Sequence, residues 1–331
     1  MEIVNGIQNY QNQDGGVVLA LGNFDGLHLA HRNIIKRTRQ NAIKRGLKSV
    51  VFLLDPHPVK VLYPDRNFKL LTSLEEKLEK LESLGIDRVV VEPFTDTVST
   101  LAPFHFAQTY LKDTLNVSKI IVGFDYTFGR KGQGTVNHLL RWGERLGFDV
   151  DIVSPIMHGN DVVSSSLVRE LLTTGDVAKA AEILGCFYSR TGKVVHGDGR
   201  GRQVGFPTAN LAVQEELMLP GRGVYLSLVT RGQKKMFGLT NIGIKPTFCN
   251  DNKTTTEVFI LDFKENIYFE ELTIYFLHKI RDEHVFNTVS EFKRQVEIDV
   301  YSARQLIAET FSFLLHENIS KDCCPMFTKL T

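Results

Sequence analysis

Two segments of this sequence combine residue types that handle phosphate groups, and they lie about half the chain length apart. The first reads GNFDGLHLAH at residues 22–31 and follows the apolar run VVLAL at 17–21. The second reads HGDGRGRQVGFPTAN at residues 196–210. One nucleotide site is typical of an ordinary transferase, whereas two sites of unrelated design indicate two chemical steps on one polypeptide.

The first segment predicts an anion site at the start of a helix. His28 and His31 are an i, i+3 pair, so on a helix they share a face. The glycine-bearing turn before them allows backbone N–H groups to approach a ligand, and a helix N-terminus adds partial positive charge. Two imidazoles at that point can donate to a phosphate whose charge grows during in-line attack. An isolated H-x-x-H pair is more often structural, but its place directly after an apolar strand favours the phosphate site.

The elements of the first half alternate between strand and helix. Apolar runs rich in β-branched residues lie at 17–21, 49–54, 88–91, 119–122 and 149–153. A helical apolar face begins after Ser73, which forms a predicted capping box with Glu76. This alternation predicts a doubly wound parallel sheet, in which ligands bind at the carboxyl ends of the strands.

After about residue 185 the pattern changes to short strands separated by glycines. Runs at 224–229, 256–261 and 272–277 have no helix between them, which predicts an antiparallel barrel. A long amphipathic helix, with a predicted capping box at Thr288 and Glu291, then closes the chain. The expected fold is therefore α/β, with domains at 1–185 and 186–318 and a tail at 319–331.

Three further segments carry candidate binding groups. Serine hydroxyls at 164–166 with Arg169 suit an outgoing pyrophosphate, although alone they are a good helix N-cap. The turn GFDYTFG at 123–129 follows a strand, and its aromatic rings and Asp125 suit a planar ring that carries N–H donors. In the second segment Thr208 and Asn210 share a face of an extended stretch, and such oxygen ligands suit Mg²⁺ that carries ATP phosphates.

The first half resembles the nucleotidyltransferase superfamily. The resemblance rests on G-x-F-D-G-x-H-x-x-H, whose usual ending is H-x-G-H, and Ala30 stands here in place of that glycine. A second element, VSSSLVR at 163–169, resembles the superfamily's I-S-S-T-x-I-R, with Ser166 in place of threonine.

The second half resembles riboflavin kinase. The matching segments run in order from 196–210 through GVY at 223–225, NIGIKPT at 241–247, EVFILDF at 257–263 and IRDE at 280–283. The resemblance implies that Glu257 is the general base that accepts the proton of a primary alcohol during phosphoryl transfer. Tyr268-Phe269 departs from the usual Tyr-Gly.

Together the halves resemble the bacterial bifunctional riboflavin kinase/FAD synthetase family. The resemblance implies that ATP phosphorylates riboflavin to FMN in the barrel, and that a second ATP adenylylates FMN to FAD in the N-terminal domain. The implied catalytic residues are His28, His31 and Glu257. The implied adenylyltransferase ATP ligands are Gly22, Asn23, Phe24, Asp25, Ser164, Ser165 and Arg169, and its flavin ligands are Asn23, Asp125 and Phe128. The implied kinase groups are Gly197, Arg200, Gly201, Arg202, Gly205 and Pro207 for ATP, Arg281 and Glu283 for flavin, and Thr208 and Asn210 for Mg²⁺.

Composition narrows the remaining classes. The formal net charge is +1, so no large basic footprint for nucleic acid is expected. No apolar run approaches the roughly 20 residues that span a bilayer, and the first residues lack a secretory pattern. Cys186, Cys249, Cys323 and Cys324 match no zinc spacing, which favours reduced thiols and a cytoplasmic protein. The expected partners are therefore small molecules.

Two alternatives remain open from the sequence. One is a monofunctional FAD synthetase or riboflavin kinase in which the other half is inactive. The other is a flavin-binding regulator without turnover, although a pure sensor has no need of a general base. The sequence does not determine the oligomeric state, the passage of FMN between sites, or whether the flavin must be reduced.

Overall fold

The chain forms two compact units. A computed structural model describes residues 1–12, 15–197, 201, 205–245 and 253–316. Its contacts divide the chain into Met1–Ser165 and Ser166–Thr331. The division falls at the start of a helix, and the domain boundary expected at residue 185 stays a prediction. Cys186 is buried, whereas the other three cysteines and the expected tail from residue 319 lie outside the described residues.

The first unit is built on a six-stranded parallel sheet with the order β1-β4-β3-β2-β5-β8. All five predicted strands are present, and the predicted parallel fold is confirmed. The strands of this unit are β1 (Glu2–Asn5), β2 (Val17–Leu21), β3 (Lys48–Asp55), β4 (Arg88–Pro93), β5 (Val117–Gly123), β6 (Thr127–Phe128), β7 (Gly134–Thr135), β8 (Asp149–Val153), β9 (Met157–His158) and β10 (Asp161–Val162). The four two-residue strands form two separate hairpins, β6–β7 and β9–β10.

Helices cover both faces of this sheet. They are α1 (Leu29–Arg45), α2 (Pro58–Leu62), α3 (Leu74–Ser83), α4 (Asp96–Ser99), α5 (Pro103–His105) with a π-helical continuation Phe106–Thr114, and α6 (Val136–Leu146); single turns lie at Ile7–Asn9 and Arg130–Gly132. Alternate residues of β2 belong to two different apolar clusters. Val17 and Leu19 lie in one cluster, and Val18 and Ala20 lie in the other. Because successive side chains of a strand point to opposite faces, both faces of the sheet are buried, as expected of a doubly wound fold.

The capping predictions are partly confirmed. Ser73 and Glu76 exchange hydrogen bonds at the start of α3 as predicted. At Thr288 the hydroxyl accepts from Glu291 N at 3.2 Å, but the Glu291 carboxylate accepts from Asn287 N, one residue before the predicted partner. The prediction of a reciprocal capping box there is wrong, because the carboxylate reaches past the cap residue.

The second unit is a closed barrel with the order β11-β12-β15-β14-β13-β16, antiparallel at every described pairing. Its strands are β11 (Ser189–Val195), β12 (Ala209–Ala212), β13 (Gly223–Arg231), β14 (Lys234–Lys245), β15 (Lys253–Ile260) and β16 (Glu271–Arg281). Its helices are α7 (Ser165–Thr174), α8 (Val177–Leu184) and α9 (Val289–Leu306), and α9 continues as a π-helix at Ile307–Phe311 and a 3-10 turn at Ser312–Leu315. The predicted barrel and closing helix are confirmed.

The barrel core includes residues from both ends of this unit. Ala181 of α8 and Ala303 of α9 share an apolar cluster with Leu226 and Leu277. The helix after α9 adds Phe311 and Leu314 to that cluster. Among the described residues, no helix combines the length and the apolar character needed to cross a bilayer.

Candidate functional sites

The first site lies where the strand order of the parallel sheet reverses. After β2 the chain adds β3 and β4 on one side, and then crosses to place β5 on the other side of β2. The carboxyl ends of β2 and β5 therefore border the crevice in which doubly wound sheets bind ligands. The turn at residues 22–28 follows β2, and the turn at 123–126 follows β5. The fold thus brings these two sequence segments to one edge.

The two histidines form a stacked pair at the start of α1. His28 caps the helix rather than lying within it, and its Nδ1 accepts from His31 N at 3.4 Å. The two ring centroids are 3.6 Å apart with an angle of 18° between the planes. The ring of Phe24 packs edge-on against His31 at 5.2 Å. As at any helix start, the first-turn N–H groups lack acceptors within the helix, so they face the same region as the imidazoles.

The pair has an unusual electrostatic environment. Burial holds the pKa of His31 well below its usual value, and the nearby charges of His28 and Lys77 lower it further. His31 Nδ1 is buried and has no hydrogen-bond partner among the described residues. The lowered pKa favours the neutral imidazole of His31, which carries one N–H donor and one acceptor nitrogen.

Asp25 ties the turn to two other segments. Its carboxylate accepts hydrogen bonds from Leu71 N and from Thr72 N, each at 3.1 Å. Its carbonyl oxygen accepts from Ser165 Oγ at 2.8 Å. Gly26 N donates to Thr72 Oγ1, so this N–H is already bonded within the protein. The geometry gives Asp25 a positioning part, since its side chain faces the protein interior and is only 2% exposed.

The other groups expected at this site differ in burial and in position. Gly22 allows close packing, because an added Cβ would lie 3.0 Å from the Phe24 ring. Asn23, Ser164 and Ser165 are half-buried, and Asp125 is exposed with its carboxylate folded over Gly123. Phe128 is buried in the hydrophobic core beside Phe106, and its expected flavin contact stays a prediction. Arg169 lies in α7, beyond the division between the units.

The second site forms across neighbouring strands of the barrel. Thr208 Oγ1 lies 3.4 Å from Glu257 Oε2. Asn210 of β12 and Asn241 of β14 are both register partners of Glu257 in β15. Cross-strand partners point to the same face of a sheet, so one carboxylate and two carboxamides form a polar row.

A cavity of about 370 Å³ lies next to Thr208, and the neighbouring strand residues Ala209 and Val258, rather than Asn210 and Glu257, line it. Its walls include Pro207, Thr208 and Tyr268. Gly201 packs closely there, since an added Cβ would lie 2.4 Å from Phe206 O. Gly197 lies against the Asn210 carboxamide, which leaves no room for a Cβ at that position. Gly205 is exposed, and Arg200 and Arg202 lie outside the described residues.

The two groups expected to bind flavin in the barrel have different surroundings. Arg281 Nε donates to both carboxylate oxygens of Asp299 at 3.0 Å, and Asp299 is only 2% exposed. Glu283 is exposed, with its carboxylate lying over Gly243. Arg281 is thus held by an ion pair, and Glu283 is the more accessible of the two.

Comparison with known proteins matches both halves of the chain. Residues 10–167 match the family described as FAD synthetase, and residues 184–307 match the family described as riboflavin kinase. A bifunctional riboflavin kinase/FMN adenylyltransferase from Listeria monocytogenes is 40% identical over 88% of this chain and 93% of its own length. This chain belongs to that bifunctional family. A relative with the same name from Escherichia coli is 33% identical over 94% of this chain and 99% of its own length.

A solved structure also resembles this family member along most of its length. It is named a macrolide-efflux protein, from Streptococcus pneumoniae, and is 29% identical with a TM-score of 0.83. The match covers 92% of this chain and 99% of that one. The likeness concerns the fold.

Lys77 is a candidate residue of the adenylyltransferase half that the sequence interpretation missed. It lies in α3, is only 5% exposed, and interacts electrostatically with Asp25, Asp55 and His31. Burial lowers the pKa of Lys77, and the two carboxylates oppose that shift. A signal was available, because Lys77 lies three residues after Leu74 and four before Leu81. That spacing places a cation on the apolar face of the helix.

Asn241 is the corresponding omission in the kinase half. The sequence interpretation used it only as part of a family motif. Its place beside Glu257 follows from the register of β14 against β15, and a strand register is not readable from one sequence.

Proposed function

We propose that this chain phosphorylates riboflavin with ATP to give FMN in its second unit, and adenylylates FMN with a second ATP to give FAD and pyrophosphate in its first unit. One observation carries the proposal: the same chain holds a stacked histidine pair at the edge of a parallel sheet and a threonine–glutamate contact in a barrel, with Thr208 at the wall of a cavity. Membership of the bifunctional family supports both steps.

In the first unit, the proposed reaction is direct attack of the FMN phosphate on the α-phosphorus of ATP. Holding the two phosphates in line lowers the barrier by removing the entropy of encounter. His28 and His31 donate hydrogen bonds to the α-phosphate oxygens, whose negative charge grows in the transition state. Gly22 and Asn23 line the approach, and Ser164, Ser165 and Arg169 bind the departing pyrophosphate. Asn23 and Asp125 contact the flavin nucleotide.

In the second unit, the Glu257 carboxylate accepts the proton of the riboflavin hydroxyl as that oxygen attacks the γ-phosphorus of ATP. Gly197, Gly201, Gly205 and Pro207 belong to the ATP-binding segment, together with Arg200 and Arg202. The exposed Glu283 and the ion-paired Arg281 border the flavin.

Mg²⁺ fits the donors of the second unit. Thr208 and Asn210 offer hard oxygen ligands, and Mg²⁺ bound with ATP commonly takes only one or two protein ligands. Among the described residues there is no cluster of three or more His, Cys, Asp or Glu side chains suited to a metal ion. Bound there, Mg²⁺ would neutralise charge on the ATP phosphates.

The test is incubation of the full chain with riboflavin, ATP and Mg²⁺, followed by chromatography of the flavins. Both FMN and FAD are expected. If only FMN forms, the chain is a riboflavin kinase alone. If the chain converts added FMN to FAD but does not phosphorylate riboflavin, it is an adenylyltransferase alone. Flavin that stays bound but unchanged would instead support a regulator. A cytoplasmic location remains part of this proposal.

A further inference from the structure

Phe269 has a backbone conformation that suits glycine. Its φ is 68°, in the left-handed region where a bulky side chain is strained. Its side chain is not hidden in a core, because Phe269 is 62% exposed. An exposed, strained aromatic residue contributes little to folding, so its ring needs another explanation.

The ring of Phe269 contacts His196. The two centroids are 5.5 Å apart with an interplanar angle of 78°. The Tyr268 ring contacts the same imidazole, with the ring centroids 4.1 Å apart and the planes tilted by 34°. His196 is itself exposed. We name the three residues His196, Tyr268 and Phe269 the aromatic clamp.

Backbone hydrogen bonds fix the position of the aromatic clamp. Phe269 N donates to Val194 O at 2.9 Å, and Val194 N donates to Glu270 O at 2.8 Å. These bonds join the 268–270 turn to the end of β11, just before His196. The positive φ of Phe269 therefore directs its ring at His196 from a fixed position.

The clamp adjoins the proposed kinase site on two sides. Tyr268 lines the 370 Å³ cavity together with Thr208. The residue after His196 is Gly197, which lies against the Asn210 carboxamide without room for a Cβ. Asn210 is the register partner of Glu257. A shift of His196 would therefore move Gly197 away from Asn210, at the beginning of the proposed phosphate-binding segment.

We propose that Phe269 is a positioning residue for ATP in the kinase reaction. With Tyr268 it holds His196, and thereby keeps the next residue, Gly197, against the Asn210 carboxamide. This inference rests on the proposed kinase function. A purely structural residue at this turn would act on stability and leave ATP binding unchanged.

The test compares Phe269→Gly with Phe269→Ala in the full chain. Both variants remove the ring, but glycine also relaxes the backbone, whereas alanine keeps the unfavourable φ. Riboflavin phosphorylation is measured against ATP concentration at fixed Mg²⁺. Adenylylation of added FMN by the same samples reports on the first unit. Tyr301→Ala removes a comparably exposed ring from α9 and serves as the matched control.

The expected result is a rise in the KM for ATP of about 3- to 10-fold in both Phe269 variants, with kcat within about twofold, since an aromatic contact has this size. Phe269→Gly should also resist heat inactivation better than Phe269→Ala. Phe269→Tyr restores the wild-type KM, and Tyr301→Ala leaves it unchanged.

An unchanged KM for ATP in Phe269→Gly would overturn the inference while leaving the kinase in place. If the KM rose in Phe269→Ala all the same, the effect would belong to backbone strain and not to the ring. His196→Ala gives an independent check: its KM rise should not add to that of Phe269→Gly, and full additivity also overturns the inference. A wild-type chain that forms no FMN would refute the proposed function, and this inference with it.

Discussion

The two candidate sites are built in opposite ways. In the first unit, His28 is 4% and Asp25 2% exposed, and both lie in one continuous turn anchored by buried hydrogen bonds. In the second unit, Thr208 and Glu257 are half-buried; Thr208 lies just before β12, and Glu257 lies in β15. Burial makes the first site electrostatically perturbed, whereas the second depends on strand register. The comparison shows that a short sequence motif can carry most of one site but only part of another.

The largest effect is expected when the carboxylate of Glu257 is removed from the site in the barrel. Glu257→Gln keeps the shape but removes the general base, so FMN formation should fall about 10²- to 10⁴-fold. Chromatography of riboflavin and FMN measures this loss. FAD formation from added FMN is the internal control, and its parallel collapse would indicate misfolding.

Removal of the helix-capping imidazole tests the buried site in the same way. His28→Ala should lower FAD formation about 10²- to 10³-fold, because a donor to the developing phosphate charge is lost. Phosphorylation of riboflavin by the same preparation should persist. Intact FAD synthesis would show that the histidine pair has another role.

A smaller effect is expected from the buried cation of α3. Lys77→Met leaves Asp25 and Asp55 without their neighbouring charge, and adenylylation should fall about tenfold, with a loss of about 1–3 kcal/mol in unfolding free energy. Lys80→Met, a few residues further along the same helix, is the matched control. Equal effects of the two substitutions would contradict a specific part for Lys77.

The smallest expected effect is a pH dependence of the stability of the first unit, caused by His31. The unfolded chain takes up a proton at His31 near pH 6.5, whereas the folded first unit resists it because burial lowers the pKa. The first unit should therefore lose stability as pH falls below about 6.5, by at most about 1.4 kcal/mol per pH unit, until the folded pKa is reached. Urea unfolding followed by Trp142, the single tryptophan, reports on this unit. His31→Gln should reduce the dependence of the unfolding free energy on pH. An unchanged slope in this variant would contradict the assignment of the effect to His31.

The elements most readable from the sequence are those with a strong period. All five predicted sheet strands and the apolar face of α3 follow from such patterns. β1 was missed because only Val4 of its four residues is buried, which leaves no alternation to detect. The burial of Phe128 was not readable either, because an aromatic side chain after a strand can serve a core, a ligand site or both.

The remaining details depend on tertiary placement. The spacing of Lys77 places it on the apolar face of α3, but the carboxylates of Asp25 and Asp55 near it appear only in the fold. The meeting of Thr208 with Glu257 depends on strand pairing over a long separation, which local propensity does not encode. The motifs therefore indicated where to look for both candidate sites, whereas the residues that surround the motifs could be identified only from the fold.

The strand that carries Asn210 is also the most weakly paired strand of the barrel. In the described residues, β12 matches β15 at two positions and β11 at three, whereas β13 matches β14 at nine. Local opening follows the parts of a structure that have the fewest interlocking backbone bonds. The barrel wall is therefore expected to open first at β12, the strand that carries the proposed Mg²⁺ ligand Asn210, while the other strands stay paired.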